Sequence, residues 1–134
     1  MPSGTLTASM TDNSYTLLHV CGREQIRGLR DQIFRMNGYV VESTPSIAEG
    51  LKLATAKSYS IVIIDVEGDG RVPDAEKLCS DIRTHRPEQE IVFICNYRVS
   101  IHTSCPDDII RAEFNPQAML DGVKAVLDGK QSGS

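Results

Sequence analysis

Ser60-Ile-Val-Ile-Ile-Asp65 is the stretch that decides the fold. Residues 61–64 are four β-branched residues in a row, with no polar residue between them. Such a run is typical of a strand covered on both faces, as in the middle of a parallel sheet. The carboxylate of Asp65 follows directly, and burying it is costly unless something solvates, pairs with or uses it. The stretch therefore predicts a central parallel strand that ends at a candidate functional residue.

Short apolar runs and amphipathic stretches alternate on both sides of this strand. The other predicted strands are residues 15–20, 39–42, 90–95 and 107–112. Four helices are predicted. The first covers residues 23–37, with Ile26, Leu29, Ile33 and Met36 on one face, and the second is capped by Ser46, with Ile47, Leu51 and Ala54 inward. The third runs from Pro73 to about His85, and the last is capped by Asn115-Pro116 and carries Leu120, Val123 and Leu127.

This alternation predicts an α/β domain with a flavodoxin-like, doubly wound parallel sheet of five strands in the order 2-1-3-4-5. The crossover between strands four and five has only residues 97–106, which include Pro106 and show no apolar periodicity. We therefore expect a loop or a single turn there. A single domain over residues 15–129 is expected, with flexible tails at residues 1–14 and 130–134.

Composition and charge exclude several classes of function. Fourteen Lys and Arg against 18 Asp and Glu give a net charge of −4, which argues against a nucleic-acid-binding surface. No apolar run approaches the roughly 20 residues that cross a bilayer. The polar start of the chain does not resemble a secretion signal, so we expect a cytoplasmic protein without membrane contact. No G-x-G-x-x-G or P-loop motif supports nucleotide-dependent catalysis.

The four cysteines, Cys21, Cys79, Cys95 and Cys105, show neither zinc-site spacing nor a C-x-x-C pair. For a cytoplasmic chain with an adequate core, we expect no disulfide framework and mostly buried, apolar thiols. A redox pair of Cys21 and Cys95 is a further hypothesis. Because strand three separates their strands, their backbones are expected about 9–10 Å apart, beyond the roughly 7 Å limit of a disulfide.

In an open parallel sheet, the usable crevice lies beyond the carboxyl ends of the strands, where the strand order reverses. Strands one, three and four end there side by side. They deliver Cys21 and Gly22, Asp65 and Glu67, and Cys95 and Asn96. Asp65 and Glu67 are the candidate ligands of a weakly held Mg²⁺, since this ion prefers carboxylate oxygens. The alternatives are that Asp65 caps loop amides and that Glu67 belongs to a solvated acidic turn.

From Tyr15 to Leu127 the chain resembles the receiver domains of response regulators, the CheY-like family of two-component signalling. The resemblance is carried by residues 60–65, similar to the strand that ends at the family's phosphorylated aspartate. A second stretch, Asp107-Asp-Ile-Ile-Arg-Ala-Glu-Phe-Asn-Pro-Gln-Ala-Met-Leu120, is similar to the family's fifth strand and last helix. The resemblance implies a CheY-like fold, with Asp65 as the residue that accepts a phosphoryl group from a histidine kinase and with Mg²⁺ as cofactor.

Most of the family's reactive side chains have no counterpart here. The acidic pair that helps to hold Mg²⁺ matches Cys21 and Gly22, and the lysine of strand five matches Ala112. The switch residues, a hydroxyl and an aromatic ring, match Cys95 and Ile109. Because Mg²⁺ and an ammonium group normally neutralise the charge that accumulates in phosphoryl transfer, their loss argues against efficient phosphorylation.

Two main hypotheses about function follow, and neither is an enzyme. One is an atypical receiver module of two-component signalling, with Asp65 as phosphoacceptor and a histidine kinase or a downstream effector as protein partner. The other is a phosphorylation-independent pseudo-receiver that acts by protein contact or as a homodimer. A minor alternative is a phosphatase or phosphocysteine carrier based on Cys21, because Cys21 and Arg27 have the C-x5-R spacing of a phosphate-binding loop.

Overall fold

The computed structural model describes residues 15–112 and 115–132. Glu113 and Phe114, which belong to the second stretch of the resemblance, and the predicted N-terminal tail lie outside the described residues. The elements are β1 (Thr16–Val20), α1 (Glu24–Met36), β2 (Val40–Thr44), α2 (Ile47–Ala56), β3 (Ile61–Asp65), a 3₁₀ turn (Asp69–Arg71), α3 (Val72–His85), β4 (Ile91–Cys95), β5 (Asp108–Arg111) and α4 (Pro116–Ser132). None of the described helices is long and apolar enough to cross a membrane.

The sheet confirms the predicted topology. Its five strands are all parallel, in the order β2-β1-β3-β4-β5. Every residue of β3 is buried, as its unbroken apolar sequence predicts. In the register of the sheet, Asp65 at the end of β3 lies opposite Ile94 of β4. Because all strands run the same way, the residues after Val20 and Cys95 reach the same edge as Asp65.

Each face of the sheet carries its own apolar core. On one face, Leu18, Val62 and Phe93 pack with α2 and α3. On the other, Leu17, Ile63 and Ile94 pack with residues of α1 and α4. The predicted helix caps are also present, since Ser46 Oγ accepts a hydrogen bond from the Glu49 amide and Asn115 Oδ1 accepts one from the Ala118 amide. Both helices therefore begin where the local sequence predicts.

The predicted apolar face of α1 is only partly confirmed, because Ile33 packs against the core and Ile26 is partly buried, but the other two residues are not. Leu29 is 56% exposed and Met36 is 76% exposed, whereas Arg30, Asp31 and Phe34 are the buried residues of this helix. Helical periodicity counts apolar residues and therefore cannot anticipate a charged side chain that is buried because it has a charged partner. The partners of Arg30 and Asp31 lie at the carboxyl edge of the sheet.

The crossover between β4 and β5 has no helix, as predicted from residues 97–106. Val99 is buried, and Ile101 and Cys105 pack against the core cluster that includes α3. The expectation of unpaired cysteines fails here, because Cys105 forms a disulfide with Cys79 of α3. Sequence spacing could not show this pair, since only the packing of the loop onto α3 brings the two residues together. Cys21 and Cys95 are free and buried, as expected.

Candidate functional site

Asp65 is held by a clamp of two arginines, which we call the Arg23–Arg30 clamp. Arg23 donates to both oxygens of the carboxylate, from Nε to Oδ2 at 3.1 Å and from Nη2 to Oδ1 at 2.8 Å. Arg30 donates from Nη1 to Oδ1 at 2.8 Å. Cys21 adds its thiol, with Sγ 3.5 Å from Oδ2. Four donors thus converge on the carboxylate of Asp65, whose side chain is 0% exposed.

Local sequence places both arginines on this carboxylate. Arg23 lies between the end of β1 and the first turn of α1, so its side chain reaches the strand edge from outside and stays 37% exposed. Arg30 lies inside α1, and its side chain is only 7% exposed. Its long aliphatic stem crosses the helix–sheet interface before the guanidinium meets Asp65. One cation of the clamp is therefore part of the interior and the other borders solvent.

The protonation states at this site depend on burial and on ion pairing with neighbouring side chains. Burial by itself raises the pKa of Asp65, but the hydrogen bonds and charges of Arg23 and Arg30 outweigh it and lower the pKa below its usual value. Burial, together with the negative charge of Asp65, raises the pKa of Cys21 to about 11. Burial also raises the pKa of Cys95. At neutral pH the site holds one carboxylate, two guanidinium groups and two neutral thiols.

These residues do not fit Mg²⁺. The ion takes an octahedral set of oxygen ligands, usually with one or two free carboxylates. Here the Asp65 oxygens are engaged by cations, and the acidic-pair positions hold the thiol of Cys21 and the side-chain-free Gly22. Glu67 is partly buried, with Oε2 3.8 Å from Nε of Arg71. Among the described residues, no three His, Cys, Asp or Glu side chains form a group that could hold a metal.

The positions that match the family's switch residues surround the start of the β4–β5 loop. Cys95 is buried, and its carbonyl oxygen accepts a hydrogen bond from the Ala112 amide at 3.1 Å. Ile109 is partly buried against the core and brings no ring. Ala112 is also buried, so the position of the family's lysine carries only a methyl group. At these three described positions the chain therefore has a thiol, an aliphatic side chain and a methyl group.

Arg111 brings a cation to this edge that sequence reasoning overlooked. It precedes Ala112, yet its Nη1 donates to the carbonyl oxygens of Asn96 at 3.0 Å and Val99 at 2.8 Å. The same nitrogen lies 3.6 Å from Sγ of Cys95. Arg111 thus fastens the β4–β5 loop to the sheet. Its hydrogen bonds to described residues do not include one to the Asp65 carboxylate.

Arg23 and Arg30 were missed because neither stands in a motif. One signal was available: a buried aspartate needs cations, and Arg30 is four residues before Phe34 on what proves to be the buried stripe of α1. Asp31, beside it, binds His19 Nδ1 at 2.9 Å and Ser43 Oγ at 2.6 Å. The histidine is thus a packed core residue, as its place in β1 indicates.

The C-x5-R spacing does not form an anion cradle. Arg27 Nη1 donates to the carbonyl oxygen of Cys21 at 3.1 Å, which directs the guanidinium to the backbone. The raised pKa of Cys21 keeps its sulfur protonated, whereas nucleophilic attack on phosphate requires the thiolate.

Comparison with known proteins supports the fold only. No family model matches the sequence, and no curated protein matches it. Among solved structures, a CheY-like receiver domain protein from Methanospirillum hungatei JF-1 is 22% identical with a TM-score of 0.78, over 91% of this chain and all of that one. CheY4 of Vibrio cholerae is 18% identical with a TM-score of 0.72, over 85% and 99% of the two chains.

A third solved structure contains the histidine kinase ThkA in complex with the response regulator TrrA, a protein of Thermotoga maritima. The match is 24% identical with a TM-score of 0.69, over 84% of this chain and 98% of that one. All three likenesses cover nearly the whole of the matched chains. The chain therefore has the CheY-like fold of response regulator receiver domains, with an Arg23–Arg30 clamp on the aspartate at the end of its third strand.

Proposed function

We propose that this chain is an atypical receiver-type module of two-component signalling, which works in the cytoplasm through protein–protein contacts and without phosphorylation of Asp65. It is a binding protein and not an enzyme. Its partner is a histidine kinase or a downstream effector, as in the solved complex of ThkA with TrrA. The proposal depends on one observation, the saturation of the Asp65 carboxylate by four donors.

A carboxylate has about four lone-pair directions in its plane. Asp65 uses two at Oδ1, for Arg23 Nη2 and Arg30 Nη1, and two at Oδ2, for Arg23 Nε and the Cys21 thiol. To attack phosphorus, one oxygen must first give up its donors. Because the other arginine still pairs with the carboxylate, breaking the hydrogen bonds to one oxygen costs about 2–3 kcal/mol. That cost alone slows the reaction roughly thirty- to two-hundred-fold.

The clamp also supplies the positive charge that other groups supply in typical receiver domains. In the family that this chain resembles, Mg²⁺ and lysine neutralise the phosphorylated site. Here two guanidinium groups already neutralise the carboxylate, and Arg30 is too buried to leave without disrupting α1. We therefore expect one permanent conformation of this edge, so that signalling depends on the amount of the protein and its partner rather than on a phosphoryl group.

The decisive experiment is incubation of the full chain with acetyl phosphate and Mg²⁺, followed by intact mass spectrometry. The wild type and Asp65→Asn are expected to stay unmodified to the same extent. Arg23→Ala, which removes the exposed half of the clamp, tests whether release of the oxygens restores reactivity. Arg27→Ala is its matched control, because the Arg27 side chain donates to the Cys21 carbonyl oxygen and, among the described residues, not to the Asp65 carboxylate.

A phosphoryl adduct on the wild type that is absent from Asp65→Asn would overturn the proposal and establish Asp65 as a phosphoacceptor. An adduct on both would indicate another site. Sedimentation velocity separates the two forms of contact: a concentration-dependent dimer favours the homodimer, and a monomer at all concentrations favours a different protein as partner. Added Mg²⁺ is expected to leave the melting temperature unchanged.

A further inference from the structure

A single covalent link joins the β4–β5 loop to α3. It connects Cys105, near the end of the loop, to Cys79, whose Cα lies 6.4 Å away. This separation is ordinary for disulfides, so the backbone needs no rearrangement to form the bond. Cys79 is fully buried in the core, whereas Cys105 is only partly buried. Access to the bond is therefore through Cys105.

The two halves of this loop are held by different means. In the first half, Arg111 binds the carbonyl oxygens of Asn96 and Val99, and the Ser100 amide donates to Asp69 Oδ1 at 2.8 Å. In the second half, among the described residues, 101–104 make no hydrogen bond to any part of the chain outside the loop. The loop is next fastened at Cys105, by the disulfide and by Arg83 Nε on the Cys105 carbonyl oxygen at 2.8 Å.

We propose that Cys79 and Cys105 form a thiol–disulfide exchange site that takes low-molecular-weight thiols and their disulfides as substrates. In the oxidative direction, the Cys105 thiolate attacks a small disulfide RSSR, which forms a mixed disulfide and releases RSH after protonation. Cys79 then loses its proton, its thiolate attacks the Cys105 sulfur of the mixed disulfide, and the second small thiol leaves as RS⁻, which takes up a proton to give RSH. Two protein thiols are oxidised and one small disulfide is reduced to two thiols; reduction runs in reverse.

The consequence of reduction is confined to one region. Residues 101–105 lose their covalent tie to α3 and keep the apolar contacts of Ile101 and, among the described residues, one hydrogen bond from Arg83. Residues 96–100 stay fastened by Arg111 and Asp69. This loop stands where a helix lies in the family that the chain resembles. The exchange thus changes the mobility of one surface of the molecule and leaves the Arg23–Arg30 clamp intact, so it is independent of the proposed function.

Tryptic mapping can test the pairing because the four cysteines fall in four different tryptic peptides: residues 1–23, 78–83, 84–98 and 99–111. The reduced full chain is equilibrated with mixtures of reduced and oxidised glutathione, alkylated under denaturing conditions and digested. We expect a cross-linked pair of peptides 78–83 and 99–111, which appears and disappears reversibly with the glutathione ratio. Cys21 and Cys95 stay alkylated throughout.

Hydrogen exchange of the two states gives a second, structural measurement. The Cys105 amide, which donates to Thr103 Oγ1 at 3.1 Å, is expected to exchange at least about tenfold faster in the reduced protein, with β3 unchanged. Cys105→Ser should show the fast rate under both conditions and tolerate the change, since this side chain is only partly buried. Cys95→Ala is the matched control, which keeps the pair and its glutathione dependence.

Three results would overturn the proposal: cross-links that involve Cys21 or Cys95 instead, a pair that does not respond to any glutathione ratio in the native protein, and a Cys105 amide whose exchange is equal in both states. None of these results depends on whether Asp65 accepts a phosphoryl group. Failure of this proposal is therefore distinguishable from failure of the proposed function.

Discussion

Replacing Arg30 by Met removes the buried cation of the clamp while it keeps an unbranched side chain of similar reach. Arg30 Nη1 lies 2.8 Å from Asp65 Oδ1, and both side chains are almost fully buried. Loss of one partner of a buried pair costs about 3–5 kcal/mol when the remaining charge has no other partner. Arg23 still donates two hydrogen bonds to the carboxylate. We therefore expect a loss of about 2–3 kcal/mol, or a melting temperature roughly 6–12 °C lower.

Urea denaturation followed by circular dichroism measures this loss, provided that the m-value stays constant. Arg35→Met is the matched control on the same helix, because Arg35 is exposed and, within the described part of the chain, its side chain donates to the Val41 carbonyl oxygen and not to Asp65. This variant should cost under about 1 kcal/mol. A double-mutant cycle with Asp65→Asn isolates the pair, with an expected coupling of about 1–2 kcal/mol. Equal costs of Arg30→Met in the wild-type and Asp65→Asn backgrounds would refute the clamp as a stabilising ion pair.

Three further outcomes test other parts of the structure. The pKa of Asp65 is lowered on folding, so its stabilising contribution is complete above the ordinary aspartate pKa and is lost as the pH falls through the folded value; the unfolding free energy of the wild type should therefore fall more steeply below about pH 5 than that of Asp65→Asn. Arg111→Leu, which removes two hydrogen bonds to loop carbonyls, should cost about 1–3 kcal/mol and speed amide exchange at the start of the β4–β5 loop, with unchanged loop exchange as the contrary result. Gly122→Ala should destabilise the protein by about 1–3 kcal/mol, because the new Cβ would lie 2.7 Å from the side chain of Ile110. In Gly28→Ala the new Cβ meets nothing within 4 Å, so this variant should stabilise α1 by about 0.5–1 kcal/mol. Thermal melts that rank the two variants the other way would contradict this packing.

Periodic and local patterns were sufficient for the scaffold. The unbroken β-branched run of residues 61–64 required cover on both faces of β3, which a doubly wound sheet supplies. Ser46 and Asn115 marked helix starts because their side chains satisfy amides only a few residues away. The missing helix between β4 and β5 was equally readable, since residues 97–106 lack apolar periodicity. Each of these signals depends on residues that are close together in the sequence, so it can be recognised without the tertiary structure.

The candidate site was only half readable. Asp65 could be identified because a carboxylate after an apolar strand must have a partner, and topology put it at the carboxyl edge. The identity of the partner could not be read, because Arg23 and Arg30 lie 42 and 35 residues away in sequence. Apolar periodicity placed Leu29 and Met36 on the same face of α1 as Ile33, although they are exposed and Ile33 packs against the core. A pattern that scores hydrophobicity treats a buried, neutralised arginine as a surface residue.

By itself, then, the amino-acid order determined the αβ alternation, the strand that crosses the middle of the sheet and the acid at its end. Only the tertiary structure decided what that acid does, because the charge state and reactivity of Asp65 depend on which side chains the folded chain brings within hydrogen-bond distance of it. The same holds for Cys79 and Cys105, whose pairing follows from the packing of a loop onto α3. Local sequence specifies backbone geometry. The pairing of buried charges and thiols depends instead on distances between residues far apart in the sequence, and these distances are fixed only when the helices pack against the sheet.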